Sequence, residues 1–170
     1  MKGLRDQEVT AVPIDMGSVL EEAHAHLDHL LNQYEAKLIL PESWPVALGH
    51  GPWVEQVWVN YISNALKYGG RPPRVEVGAT PAGGHIRFWV RDNGPGLSPG
   101  EREKLFQPFT QLHKGKRERG HGLGLSIVQQ IMEKLGGQVD VSSEPGQGST
   151  FSFTLPAAQP GDLPATGRLG

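Results

Sequence analysis

The chain contains no cysteine, which excludes disulfide bonds, cysteine zinc sites and thiol catalysis and agrees with a reducing compartment. It also lacks any run of about 18 consecutive apolar residues, the length that a membrane-spanning helix needs. Residues 1–13 contain no hydrophobic signal segment. We therefore expect a cytoplasmic chain with no direct membrane insertion, either on its own or as the cytoplasmic part of a longer, membrane-anchored protein.

Neither sign of charge is in excess, because 16 Lys and Arg residues face 18 Asp and Glu residues for a formal net charge of −2. A duplex nucleic acid is bound mainly through a basic surface field, so this balance predicts no nucleic-acid partner. The P-loop pattern and a complete Gly-x-Gly-x-x-Gly fingerprint after a strand are both missing. Their absence disfavours the two nucleotide-binding folds that depend on them.

A length of 170 residues fits one domain of ordinary size. We expect an irregular lead-in at residues 1–13, a folded domain at 14–156, and a disordered tail rich in Pro, Gly and Ala at 157–170. Strands are predicted where apolar residues alternate, at about 37–40, 75–79, 86–90, 139–141 and 151–155. With the helices below, this order predicts an α/β two-layer sandwich: a mixed, mostly antiparallel sheet with three long helices on one face.

The three long helices are predicted from apolar residues at helical spacing. The first begins at Ser18, which with Glu21 matches a capping box. The second covers about 52–68 and the third about 122–135, and a pair of glycines follows each of them. Ile127 is expected on the inward face of the third helix.

A polar stripe runs along the second helix beside its apolar face. Asn60, Asn64 and Lys67 stand at positions i, i+4 and i+7 and so share one side of the helix. Amide oxygens are hard ligands that suit Mg²⁺, and a lysine supplies a point charge for phosphate. The stripe is therefore a candidate site for a hydrated cation and phosphates, and a solvated helix face is the alternative.

Two glycine-rich segments could complete such a site. Asp92-Asn-Gly94-Pro-Gly96 follows a predicted strand, where a carboxylate could accept a hydrogen bond from an amino group, with a tight turn as the alternative. Gly120-His-Gly-Leu-Gly-Leu125 opens the third helix, where backbone N–H groups and the helix dipole favour an anion. The preceding loop carries four basic residues against one acidic residue, which is typical of a lid but also fits an ordinary solvated loop.

Taken in order, these segments resemble the ATP-binding catalytic domain of bacterial two-component sensor histidine kinases, within the GHKL superfamily and its Bergerat fold. Residues 60–68 resemble the asparagine box, and residues 92–96 the first glycine box. Residues 106–109 are similar to the phenylalanine box, 120–125 to the second glycine box, and 146–151 to the final glycine and threonine turn. The resemblance extends from about residue 14 to residue 156.

The resemblance implies ATP and Mg²⁺ as cofactors and gives each matching position a role. Asn64 would ligate Mg²⁺, Asn60 and Lys67 would contact phosphate directly or through water, and Tyr68 would line the pocket. Asp92 would bind the adenine amino group between Gly94 and Gly96, with Thr150 nearby and sharing a water with it. The remaining implied contacts are Phe106 and Phe109 at the base of the lid, and Gly120, His121, Gly122, Leu123, Gly124 and Leu125 around the phosphates.

Position 60 separates two branches of the resemblance. ATP-hydrolysing relatives usually carry a general-base Glu four residues before the Mg-binding Asn, and Asn60 cannot abstract a proton from water. We therefore expect poor hydrolysis and a kinase that positions its γ-phosphate, with Arg117 and Arg119 as candidates for stabilising it. His121 replaces the Thr that many relatives have, which removes a hydroxyl and keeps the backbone.

The phosphoacceptor is missing from the chain. His24, His26 and His29 lie on the first helix without the His-Glu-x-x-x-Pro context of the family, so they are expected to be ordinary surface residues; a metal pair and an acceptor are the alternatives. The resemblance implies that phosphate goes to a histidine on a separate dimerisation domain, in cis or in trans, and then to a response regulator receiver domain. A nucleotide-dependent interaction module, a GHKL ATPase and a serine-specific GHKL kinase stay open as alternatives.

Overall fold

A computed structural model describes residues 10–105, 125–143 and 145–162 of the chain. The elements in chain order are β1 (Val12–Ile14), α1 (Met16–Tyr34), β2 (Lys37–Ile39), β3 (Ala47–Gly49), α2 (Gly51–Tyr68), β4 (Arg74–Pro81), β5 (His85–Asp92), α3 (Pro99–Leu105), α4 (Ser126–Leu135), β6 (Val139–Ser143), β7 (Ser149–Pro156) and a 3-10 turn (Pro160–Asp162). All five strands and the helices predicted from periodicity are present within these ranges.

The main sheet has five strands in the order β2-β4-β5-β7-β6. β2 pairs with β4 in parallel, and the other three pairings are antiparallel. β1 and β3 form a separate two-stranded antiparallel sheet. The prediction of a mixed, mostly antiparallel sheet is confirmed.

The helices cover one face of this sheet because the strands alternate between apolar and polar residues. Along β5, Phe88 and Val90 are fully buried, whereas the alternate residues Arg87 and Trp89 keep partial exposure. α2 packs on β4 and β5, α4 packs on β6 and β7, and α1 packs on α2. This is the two-layer arrangement expected from the order of elements.

The aromatic core fixes α2 on the sheet. The Trp58 ring lies 5.1 Å from Phe153 and 6.2 Å from Phe88, both edge-to-face. The buried hydroxyl of Tyr61 donates a 2.7 Å hydrogen bond to the backbone carbonyl of Ser152, and burial raises the pKa of Tyr61 well above its usual range. Because its apolar side is anchored at several points, the polar side of α2 is held in a defined position as well.

The start of α1 differs from the prediction. The helix begins at Met16, and its cap is Asp15, whose carboxylate accepts hydrogen bonds from the backbone N–H and the hydroxyl of Ser18. Ser18 therefore lies inside the first turn and is not the cap. The indole N–H of Trp58 points to the sulfur of the buried Met16 at 3.2 Å, so packing favours the earlier start.

The third long helix also differs in detail. α4 begins at Ser126, and the predicted residues 122–124 lie outside the described ranges. Ile127 is 37% exposed, so the expectation that it faces inward is wrong. The buried positions of α4 start at Val128 and follow the i, i+3, i+4, i+7 pattern, and Ile127 falls about 90° from the centre of that stripe.

Both predicted ends of the domain are more ordered than expected. Residues 12–14 form β1, which pairs with β3. Beyond β7, Ala157 forms a bridge with Ala47, and the N–H of Ala158 donates to the carbonyl of Val46 at 3.0 Å. Residues 157–162 are thus part of the structure, and the rest of the predicted tail lies outside the described ranges.

Candidate functional site

The polar stripe of α2 goes from buried to exposed along the helix. Asn64 is completely inaccessible, Asn60 is partly buried, and Lys67 on the last turn is exposed. A solvated helix face would leave Asn64 open to water, so this alternative does not describe the structure. Burying an amide side chain costs free energy unless its polar atoms find hydrogen-bond partners or bind a ligand.

Only part of the Asn64 amide has such a partner. Its Nδ2 donates a hydrogen bond to Oδ1 of Asn60 at 3.2 Å, whereas its Oδ1 is buried without a hydrogen-bond partner. A buried and unsatisfied amide oxygen costs about 1–3 kcal/mol and is uncommon in folded proteins. Mg²⁺ prefers oxygen ligands, so the unpaired amide oxygen of Asn64 is a suitable ligand for that ion.

Asp92 ends β5 in a comparable environment. Its Oδ1 accepts hydrogen bonds from the backbone N–H groups of Gly94 at 2.8 Å and Ser149 at 3.2 Å. Its Oδ2 is buried without a partner, as Asn64 Oδ1 is. Burial raises the pKa of Asp92, and the two backbone hydrogen bonds oppose that shift. The hydrogen bonds to Oδ1 fix the orientation of the carboxylate, and Oδ2 is left as a free acceptor.

The turn after Asp92 lies directly on the end of α2. A Cβ added to Gly94 would collide with the carbonyl oxygen of Tyr68 and would come within 2.8 Å of Gly69 Cα. Gly96 has φ +89°, a backbone conformation that favours glycine. The missing side chain at Gly94 lets the Asp92 turn touch the C-terminal end of α2, the helix that carries Asn64.

The turn between β6 and β7 forms the other wall around Asp92. A Cβ on Gly148 would collide with the carbonyl oxygen of Asp92, so these two backbones are also in contact. The hydroxyl of Ser143 accepts from the N–H of Leu97 at 2.7 Å and from the hydroxyl of Ser149 at 3.2 Å. The Asp92 turn is therefore held from two sides.

The residue beside Asp92 in this wall is Ser149, which corrects the expectation for Thr150. Ser149 is buried and bonds Asp92 through its N–H, whereas Thr150 pairs with Arg91. Successive residues of a strand point to opposite faces, so Thr150 belongs to the face away from the helices. The alternation of Phe151, Phe153 and Leu155 on the inward face already carried this signal.

Tyr68 and Lys67 lie at the end of α2, where they were expected to meet nucleotide. The ammonium of Lys67 is 5.5 Å from the centroid of the Tyr68 ring. Burial raises the pKa of Tyr68, and the negative charge of Glu101 adds to that rise. Glu101 belongs to α3, so the end of α2 and the start of α3 are close enough for this charge to act on Tyr68.

A capping box is found at the start of α3 and not at Ser18 and Glu21, where it was predicted. The hydroxyl of Ser98 accepts from the N–H of Glu101 at 3.1 Å, and the carboxylate of Glu101 accepts from the N–H of Ser98 at 2.9 Å. The spacing Ser-x-x-Glu was readable in the sequence. A guanidinium hydrogen bond of 2.8 Å from Arg102 to the carbonyl of Val141 ties α3 to β6.

Several expected site residues lie outside the described ranges, so their predicted roles stay predictions. These are Phe106, Phe109, Arg117, Arg119, Gly120, His121, Gly122, Leu123 and Gly124. Leu125, the last residue of the second glycine segment, is described and fully buried. Its carbonyl accepts the N–H of Gln129 at 2.9 Å and so starts the hydrogen bonding of α4.

The histidines of α1 lie apart from these residues. Nδ1 of His26 contacts a carboxylate oxygen of Glu55 on α2 at 2.7 Å. Within the described ranges, no three His, Cys, Asp or Glu side chains are grouped so that they could hold a metal ion. Of the helices in those ranges, none combines the length and the apolar character that crossing a membrane requires.

The chain is similar in sequence to known proteins. Residues 49–159 match the family described as histidine kinase-, DNA gyrase B- and HSP90-like ATPases. The chain is 37% identical to the methanogenesis regulatory histidine kinase FilI of Methanothrix harundinacea over 142 residues, which are 82% of the chain and 16% of FilI. It is 36% identical to the sensor protein KdpD of Escherichia coli over 143 residues, 83% of the chain and 15% of KdpD.

A solved structure agrees with these sequence matches. Full-length ShkA, determined in complex with AMPPNP, superposes with a TM-score of 0.71 at 29% identity. The match covers 90% of this chain and 32% of ShkA. The chain thus corresponds to a part of each of these longer proteins.

Proposed function

Since the chain belongs to the family of histidine kinase-, DNA gyrase B- and HSP90-like ATPases, we propose that it binds Mg·ATP between the polar side of α2 and the Asp92 turn. We propose further that it donates the γ-phosphoryl group to a histidine on a separate dimerisation domain. This family contains kinases and ATPases alike, so the second step needs its own support and its own test.

One observation carries the nucleotide proposal: within the described ranges, the buried side-chain atoms that lack a hydrogen-bond partner are Asn64 Oδ1 and Asp92 Oδ2. Buried polar atoms without a hydrogen-bond partner are rare in folded proteins, and a bound ligand is one way in which such atoms gain a partner. Mg·ATP needs a ligand for the cation at its phosphate end and a hydrogen-bond acceptor for the amino group at its adenine end. Core residues selected only for packing would not leave these two oxygens open.

The side chains divide the nucleotide between them. Asp92 Oδ2 accepts a hydrogen bond from the exocyclic amino group of adenine, and Tyr68 lines the pocket between base and phosphates. Asn64 Oδ1 holds Mg²⁺, and Asn60 and Lys67 contact the phosphates directly or through water. When bound, Mg²⁺ neutralises charge on the phosphate oxygens. The predicted contributions of Arg117, Arg119 and the second glycine segment belong to the same site.

The transfer step needs an acceptor that approaches the γ-phosphate in line. A ring nitrogen of the acceptor histidine forms a bond to the γ-phosphorus while the bond to the bridging oxygen of the β-phosphate breaks, and ADP leaves. Catalysis of this step consists mainly of positioning, because the protein supplies no covalent intermediate. The phosphoryl group then passes to a response regulator receiver domain, as in the kinases that the sequence resembles.

The residue at position 60 favours transfer over hydrolysis. An amide is too weak a base to take a proton from a water molecule, and Asn60 Oδ1 already accepts a hydrogen bond from Asn64. We therefore expect phosphate release to water to be slower than about one turnover per minute. This residue separates the kinase proposal from the ATPase alternative.

Calorimetric titration of the chain with AMPPNP, first with Mg²⁺ and then with EDTA, tests the nucleotide proposal. We expect binding that weakens when the metal is removed and that is lost in Asp92→Ala, with Asp28→Ala on the exposed side of α1 as the matched control. Absence of binding in both conditions would contradict the proposal and favour an interaction module. Transfer of labelled γ-phosphate to an added histidine-bearing dimerisation domain then tests the kinase step.

A further inference from the structure

Asn93, which follows the adenine-binding Asp92 in the chain, joins two segments that are distant in sequence. Its Oδ1 accepts hydrogen bonds from the backbone N–H of Gly70 and from that of Arg74, both at 2.9 Å. Its Nδ2 points to the carbonyl oxygen of Pro72 at 3.4 Å. The three contacts agree on which end of the amide is oxygen, so the side chain has one defined orientation.

The peptide backbones behind these bonds are also in close contact. A Cβ added to Gly70 would lie 2.9 Å from Nδ2 and 3.1 Å from the backbone oxygen of Asn93. On the other side of the turn, a Cβ on Gly94 would collide with the carbonyl oxygen of Tyr68. Residues 68–70 and 93–94 are therefore in contact through their backbones and through the side chain of Asn93.

The end of α2 depends on this contact because it lacks a left-handed cap. Gly69 has φ −77° and ψ −173°, so the chain leaves the helix in an extended conformation. The αL turns that end α1 and α4 return backbone N–H groups to the last carbonyls of those helices. After α2, by contrast, the N–H groups of Gly70 and Arg74 are directed to Asn93.

We propose that Asn93 is a positioning residue that sets the distance between the two halves of the nucleotide site. One half is the end of α2 with Asn64, Lys67 and Tyr68, and the other is the turn that holds Asp92. The inference rests on the proposed nucleotide function. Asn93 itself is exposed and takes no part in the core, so it acts through these two segments and not through contact with the ligand.

The consequence of such a link is specific to ligands that span both halves. The base and the phosphates of one nucleotide act as two joined ligands, and the second contact gains from the first only if the spacing is right. Releasing the link leaves each half able to bind its own fragment. It removes the advantage of binding both at once.

Three ligands distinguish this role from a general structural one: AMPPNP with Mg²⁺, adenosine alone, and tripolyphosphate with Mg²⁺. For Asn93→Ala we expect the affinity for Mg·AMPPNP to fall about tenfold, while the affinities for the two fragments change less than about threefold. Asn93→Asp keeps the acceptor oxygens and should restore Mg·AMPPNP binding to within about threefold of the parent. Asn32→Ala, an exposed asparagine of α1, is the matched control.

Hydrogen exchange of the Gly70 and Arg74 amides tests the link without any ligand. We expect both amides to be protected in the parent and in Asn93→Asp, and to exchange about tenfold faster in Asn93→Ala. Rapid exchange of these amides in the parent would overturn the inference and leave the nucleotide proposal intact.

The binding data have equally definite outcomes. An equal loss for the nucleotide and for one or both fragments, or no loss for any ligand, would overturn the positioning role while parent binding of Mg·AMPPNP still supported the site. A parent that binds neither the nucleotide nor the fragments would overturn the proposed function and this inference together.

Discussion

The carboxamide nitrogen of Asn64 donates a hydrogen bond to Oδ1 of Asn60, one helical turn earlier on α2. An asparagine amide can be turned end over end at little cost in shape, and this bond distinguishes its two ends. With Nδ2 engaged, Oδ1 is the atom left unsatisfied in the interior. The helix thus presents an oxygen, the ligand that magnesium accepts, where the opposite orientation would present a donor.

The first prediction concerns this oxygen. Asn64→Ala removes the proposed magnesium ligand, so the affinity for AMPPNP in the presence of Mg²⁺ should fall to the value that the parent shows in EDTA. Calorimetry in both conditions measures the difference. Asn32→Ala should retain the full metal dependence, and a metal dependence that survives in Asn64→Ala would show that the ion is held elsewhere.

The second prediction concerns the base. In Asp92→Asn the carboxamide oxygen can keep the hydrogen bonds from Gly94 and Ser149, which leaves an NH₂ donor in the place of Oδ2. Adenine would meet this donor with its own amino group, whereas hypoxanthine offers a carbonyl oxygen. We expect ATP to lose about 1–3 kcal/mol of binding free energy and the ATP-to-ITP affinity ratio to fall. A ratio equal to that of the parent would contradict the adenine assignment.

The third prediction follows from the pKa of Asp92, which burial raises above 3.8. A carboxyl group with a raised native pKa stabilises the fold fully below its unfolded pKa, and this contribution is lost as the pH rises through the native pKa. Without nucleotide, the parent should therefore lose stability relative to Asp92→Asn as the pH rises from about 4. Denaturant unfolding of both proteins over a pH series measures the difference, and parallel curves would contradict it.

Nucleotide binding has the opposite pH dependence. Protonated Asp92 would place a proton on the oxygen that accepts the adenine amino group, so affinity should decrease as the pH falls through the raised pKa of Asp92. The effect is read as the parent minus Asp92→Asn, which cancels the titration of the phosphates. Identical pH profiles for the two proteins would show that this carboxyl group does not bind the base.

The fourth prediction separates stability from binding. Tyr61→Phe removes the hydroxyl that bonds the Ser152 carbonyl inside the core, so the free energy of unfolding should fall by about 1–2 kcal/mol. Affinity for Mg·AMPPNP should stay within experimental error, because this hydroxyl faces β7. Tyr34→Phe, in which the ring that contacts Arg71 is kept, should leave the unfolding free energy unchanged. A loss of affinity in Tyr61→Phe would connect the core to the site.

Local sequence patterns were enough to predict the polar stripe of α2 and the carboxylate at the end of β5. Both depend on the helical and strand periods, which are visible within a few residues. The cap of α1 shows the limit of local patterns, because Asp15 and Ser18 are equally good cap residues. Packing of Met16 under Trp58, 42 positions away, favours Asp15.

The contacts of Asn93 could not be predicted, since Gly70 and Arg74 precede it by 23 and 19 residues and carry no pattern that points to it. Two other features that were not predicted could have been predicted from the sequence. The parity of β7 places Ser149 and not Thr150 beside Asp92, and Ser98 with Glu101 has the spacing of a capping box. Predicting the contacts of Asn93 needs three-dimensional information. The other two features follow from the two-residue period of a strand and from the spacing of a capping box.

Ala47 of β3 is paired with Ile14 on one side and with Ala157 on the other. With neighbouring strands about 5 Å apart, the polypeptide enters and leaves this fold about 10 Å from itself. Such a geometry makes the connectivity almost circular. A permuted chain that joins these two ends by a short linker and opens at the exposed Gly83–Gly84 turn would place the Asp92 turn and β7 before α2, and would leave each of these three elements uninterrupted.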